Sequence, residues 1–160
     1  MTEEPWKPRE YASEDEAREA VDAEAMTWLR TPWHHRAHIK GVGVDCGQFP
    51  LCVYSAVGLL EWFDTGEYAR DHMLHSAEER MLAVIQRFTG EIDASEIKMG
   101  DVALYKFGRA FSHAAIVRTW PQVIHPLVRA GCVTLGDADR DHHLLDLPVR
   151  FFSYWARNGR

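Results

Sequence analysis

The hydrophobic period of this chain changes once, and that change limits the folds open to it. Up to about residue 90 the apolar residues recur at helical spacing. Ser13 and Glu16 have capping-box spacing, and Ala17, Val21, Ala25 and Trp28 follow on one face. That helix should stop near Arg30, because Thr31 precedes Pro32 and is pushed toward an extended conformation. A second helix is expected over roughly Gly47 to Phe63, nearly continuous in apolar residues and therefore buried on most sides. Pro50 fits only a first turn, so either that turn is irregular or the helix begins after Cys46. Ser76 and Glu79 repeat the cap spacing before a third helix through Met81, Leu82, Ile85 and Phe88 to Gly90.

Beyond residue 100 the pattern becomes strand-like, in short runs at 101–107, 113–119, 122–127, 132–135 and 147–155. Gly108, Trp120-Pro121, Gly131 and Gly136-Asp137 separate them. Helices first and strands afterwards predict an α+β domain, N-terminal helices on an antiparallel sheet. At 160 residues the chain holds one such domain, residues 13–160, behind an extended arm of residues 1–12.

Composition removes several functions. The formal charge of −6, without a basic cluster, argues against nucleic-acid binding and against an anionic membrane surface. Charged residues interrupt every candidate membrane span, and MTEEPWKPRE lacks the pattern of a Sec-type signal peptide. Synthesis in the cytoplasm is the expectation. Cys46, Cys52 and Cys132 have no CxxC spacing, so free thiols are expected. His34, His35 and His38, and separately His142-His143, invite a metal reading. There is no HExxH pattern and the first cluster sits among Pro and Gly, so a polar loop lining a cleft is expected, with no metal and no cofactor. Beside Cys46, His34 or His35 would meet substrate carboxylates. The run DTGEYARDHMLHS reads as a solvated connection.

Cys46 is the candidate for chemistry. It falls between Asp45 and Gly47 at an expected helix start, where unpaired N–H groups favour a thiolate. Gly47 admits a substrate backbone. Cys52 and Cys132 are assigned to packing. His113 begins a strand and His125 lies twelve residues on, across a tight TWPQ turn. Antiparallel pairing makes them cross-strand neighbours, one imidazole able to orient the other.

The blocks TPWHHRAHIKGVGVDCGQF, GDVALYKFGRAFSHAAIV and VIHP resemble the NlpC/P60 cysteine peptidases, and more narrowly the cell-wall peptidases encoded among phage tail genes. The resemblance implies a papain-like core and hydrolysis of peptidoglycan stem peptides, commonly between the γ-carboxyl of D-glutamate and the following diamino acid. It implies Cys46 as nucleophile, His113 as general base and His125 as its orienting partner. Asp45 matches the acidic residue before the cysteine, and the Cys46 N–H would serve the oxyanion. Gly47 stands where many members have Ser, and Trp33 where many have Tyr, so Trp33 offers only an N–H. A phage-type tail location and tail-tip partner proteins follow from the same resemblance. Two alternatives stay open: an acyltransferase or amidase on the same core, and a tail-tip hub component with secondary or no activity.

Overall fold

The computed structural model describes residues 4–70 and 79–159. Helix α1 runs Glu14–Thr27, and the Ser13 side chain accepts from the Glu16 N–H as the cap spacing requires. A short hairpin follows, β1 (His38–Ile39) with β2 (Gly43–Val44), inside the stretch expected to be loop. Helix α2 is Phe49–Ala56, shorter at both ends than Gly47 to Phe63. Pro50 sits in its first turn, where a missing N–H costs nothing. Gly58 ends it at φ +77°, and a Cβ there would meet Arg9 Cβ at 3.0 Å. Leu59 and Leu60 are buried in the following loop, which is why the sequence stays apolar past the helix. Helix α3 is Arg80–Gln86. Ser76 lies outside the described residues, and Glu79 instead accepts from the Phe111 N–H at 2.8 Å.

The sheet has six antiparallel strands: β3 (Gly90–Ile92), β4 (Val102–Phe107), β5 (Ala110–Val117), β6 (Gln122–Leu127), β7 (Cys132–Asp137) and β8 (Val149–Ser153). Their order is β3-β8-β4-β5-β6-β7, and a short helix α4 (Tyr154–Asn158) closes the chain. The fold is thus α+β, with N-terminal helices packed on an antiparallel sheet.

Both faces of the sheet are covered. Val102, Leu104, Ala114, Ile116, Ile124 and Phe152 join α1, α2 and α3 in the main core. The alternate residues Ala103, Tyr105, Ala115, Val117, Val123 and Phe151 form a second core with Leu144 from the β7–β8 connection. Burial on both sides explains why AAIV, after His113, is continuously apolar rather than alternating. Arg18 ties α1 to the strands: it donates to Asp101 at 2.9 Å and lies 3.9 Å from the Trp155 ring centroid. Arg118, past the end of β5, makes a two-pronged pair with Asp22 at 2.9 and 3.2 Å. Among the described residues no helix is long and apolar enough to cross a membrane.

Two irregularities make room for a site. In the β4–β5 ladder Tyr105 pairs with His113 and Lys106 with Phe111, so Ser112 is bulged out of register. Between β5 and β6 the pairing covers Ile116↔Ile124 and Val117↔Val123. Farther on, β5 stays with β4 and β6 with β7, and the sheet forks.

Candidate active site

A cleft of about 550 Å³ lies at this fork, lined by Ser112 and His113 from one prong and Pro126 and Leu127 from the other. Cys46 and Gly47 enter it from the turn before α2. The Cys46 thiol donates to the carbonyl of Ser112 at 3.4 Å. That carbonyl belongs to the bulge residue, so no β4 partner stands opposite it. The sulfur therefore rests against the backbone beside His113. The Ala114 amide, on the other side of His113, also acts on it.

His113 and His125 meet directly. His113 Nε2 and His125 Nδ1 are 2.7 Å apart, with ring planes inclined at 71°. Both side chains point to the same face of the sheet, and both are buried, at 3% and 1% exposure. Phe107 stacks on the His113 ring, 4.4 Å between centroids and 10° between planes, which fixes its orientation. With Nε2 turned to His125, Nδ1 is the nitrogen left for a reacting partner. A base acting through Nδ1 carries its proton on Nε2 and donates it to His125 Nδ1. His125 then holds its own proton on Nε2, a buried atom with no hydrogen-bond partner among the described residues.

The resting site is neutral. Burial, and after it the adjacent Asp45 carboxylate, push the Cys46 thiol up to about 12, against the lowering pull of the Ala114, Cys46 and Gly47 amides. Burial, then His125, hold His113 well below the ordinary imidazole range. Burial also lowers His125 to about 4, although Asp141 pulls it upward. The amides at the helix start do favour a thiolate at Cys46, as expected, but burial outweighs them. The start of α2 is already served by a carboxylate: Asp45 Oδ1 accepts from the Gln48 N–H at 2.9 Å. The anion at the helix start is Asp45, whose charge works against a second one on the sulfur.

Asp45 is a scaffold hub. Its Oδ2 accepts from the Arg36 N–H at 2.7 Å and from the Tyr68 hydroxyl at 2.6 Å, and the residue is buried. Trp33 lines the cleft with Arg70 over its ring, but its indole N–H is buried and has no acceptor among the described residues. His35 lines the cleft and pairs through Nε2 with the Tyr68 carbonyl at 2.8 Å. His38 stacks on Trp62 at 4.7 Å between ring centroids. Cys52 is buried in the core, and Cys132 starts β7, partly covered. His142 and His143 lie against each other at the cleft wall, near Arg129. Among the described residues no group of three or more His, Cys, Asp or Glu side chains is arranged to hold a metal ion.

Sequence reasoning missed three contributors. Tyr68 lay in a run read as a solvated connection, and a tyrosine among charges was its only signal. The role of the Ser112 carbonyl depends on a bulge, which leaves no mark in residue type. Asp141 stood beside a histidine pair considered only for metal.

The comparisons with solved structures bear on this geometry. The chain superposes on the NlpC/p60 domain of the peptidoglycan hydrolase SagA with a TM-score of 0.58 at 21% identity, covering 83% of this chain and 96% of that one. The fold is that of the NlpC/P60 domains. The peptidoglycan hydrolase RipB from Mycobacterium tuberculosis gives a TM-score of 0.62 at 17% identity, over 91% of this chain and 68% of that one. The P60 domain of an antigen from M. avium subspecies paratuberculosis gives 0.59 at 15% identity, over 88% and 96%. No family model matches the sequence, and no curated protein matches it either.

Proposed function

We propose that this protein is a cysteine peptidase that hydrolyses peptidoglycan stem peptides, with Cys46 as nucleophile, His113 as general base and acid, and His125 as its orienting partner. One observation carries the reading: a thiol bonded to the carbonyl of Ser112, the residue before His113, and an imidazole bonded to a second imidazole at 2.7 Å share one cleft. Its setting on a fold shared with two named peptidoglycan hydrolases supports this substrate class.

The neutral resting site sets the order of events. Burial and the neighbouring Asp45 raise the thiol, so the proton leaves as the sulfur attacks rather than beforehand. It passes to His113 Nδ1 while Nε2–H stays on His125. The imidazolium returns that proton to the departing amine, and water then releases the acyl-enzyme. The Cys46 and Gly47 amides already act on the sulfur, and the Cys46 N–H serves the carbonyl oxygen as it becomes an oxyanion. Arg70 and Arg129 line the cleft, which suits a substrate rich in carboxylates such as the γ-D-glutamyl–diamino acid linkage. A place on a phage-type tail, with tail-tip partner proteins, is proposed from the three sequence blocks alone.

The test is incubation of wild type and Cys46→Ala with purified peptidoglycan, followed by mass spectrometry of the fragments. Cuts at a stem-peptide amide by wild type alone support the assignment. Equal cutting by both proteins removes Cys46 from the mechanism.

A further inference from the structure

We infer that Asp141 is a positioning residue for the paired imidazoles, the outer acceptor that keeps the His125 proton on Nε2 and its Nδ1 lone pair toward His113. This rests on the catalytic reading of Cys46, His113 and His125 given above.

The geometry behind it is local. His125 Nε2 is buried and has no hydrogen-bond partner among the described residues, and an unmatched imidazole N–H in such a place is costly. Directly behind it is Gly136. A Cβ built on Gly136 would lie 2.7 Å from His125 Nε2 and 3.3 Å from Asp141 Oδ2. Ring nitrogen and carboxylate thus both border the space a side chain would fill, no more than about 6 Å apart and within the span of one bridging water. Asp141 is itself held in place. Its Oδ2 accepts from the Asp137 N–H at 2.8 Å, and its carbonyl accepts from the Leu144 and Leu145 amides at 2.9 Å. Leu144 anchors that loop in the second core at 2% exposure. The titratable groups that act on His125 are Asp141, which favours its charged form, and His143, which opposes it, with His113 bonded in front.

The consequence is directional. When His113 takes up the thiol proton, positive charge develops on the paired rings, and a fixed carboxylate behind His125 stabilises it. The same carboxylate selects the His125 tautomer that can accept from His113. Asp141 touches neither substrate nor sulfur, so its effect should fall on kcat and leave KM nearly alone.

The experiment compares wild type, Asp141→Asn and Asp141→Glu. Asn keeps an oxygen for the Asp137 N–H but loses the charge. Expected for Asn is a fall in kcat of about tenfold to a hundredfold at nearly constant KM and unfolding midpoint, with partial rescue by Glu. In parallel, ¹⁵N NMR of the histidines in the Cys46→Ala background should show His125 protonated on Nε2 with Asp141 and a raised Nδ1–H fraction with Asn. An unchanged His125 tautomer overturns the inference, as does a loss of activity that follows KM or the unfolding midpoint alone. If wild type leaves peptidoglycan uncut, the hydrolase reading fails, while the tautomer comparison still decides whether Asp141 governs His125.

Discussion

Adding one methyl group at Gly136 should disable the site from behind. The backbone of Gly136 lies outside the left-handed region, so alanine meets no conformational barrier there. Its Cβ, however, would stand 2.7 Å from His125 Nε2 and 3.2 Å from Val123 Cγ2. Comfortable contact begins near about 3.4 Å, so the imidazole must give way by roughly 0.7 Å. It cannot slide forward, because His113 Nε2 is already 2.7 Å from its other nitrogen. The ring must tilt, and the bond that orients His113 loses its alignment. A displacement of this size in a positioning group costs on the order of a hundredfold in rate. Overpacking adds about 1–3 kcal/mol of instability, or about 3–10 °C in midpoint for a domain of this length. The assay measures kcat on soluble peptidoglycan fragments and thermal unfolding for Gly136→Ala, with Gly41→Ala as control. Gly41 has φ +78° and nothing within 4 Å of its added Cβ, so it should lose about 1 kcal/mol and no activity. Wild-type kcat in Gly136→Ala would refute the claim that the His125 orientation matters.

The neutral resting site makes two further predictions. Alkylation of Cys46 by iodoacetamide, with the Cys46→Ala rate subtracted, should rise about tenfold per pH unit from 7 to 10 without levelling, as a thiol near 12 requires; a plateau near neutrality would indicate a preformed ion pair instead. Stability should fall in acid, because His113 and His125 are both depressed in the folded state and the unfolded chain takes up protons first. The contribution is therefore complete above the ordinary imidazole value and is lost as pH falls below it, the two bonded rings titrating as a coupled pair. For His125, lowered from 6.5 to about 4, this amounts to about 3 kcal/mol. Urea midpoints at several pH values, with a flatter dependence in His125→Phe, check it.

Much of the scaffold was legible because local rules and tertiary packing agree. Ser13 caps α1 as its spacing with Glu16 requires, and the strand runs of the second half emerge within a few residues of their expected bounds. The extent of α2 was not legible, since Leu59 and Leu60 are apolar for burial in a loop and continue the pattern past the helix. Nor was the second core: Leu144, from within a polar stretch, covers a sheet face together with the partly buried Ile97, Trp120 and Leu147. At the candidate site, the meeting of His113 with His125 could be anticipated from residue type and strand order. The Ser112 bulge and the capture of Asp45 by backbone donors could not, because both are backbone events. Burial first, and the carboxylate so captured second, raise the thiol, which Cys-Gly at a helix start does not suggest.

The Ile116↔Ile124 and Val117↔Val123 pairing also makes the connection from Arg118 to Pro121 a phase element for the chemistry. Side chains alternate along a strand, so the two imidazoles share a side only while the register between their strands keeps its parity. Gaining or losing one residue in that connection would send one ring to the helical layer with every ring-forming atom of the pair still encoded. Related chains should therefore tolerate exchange of residues there far more readily than a change in their number.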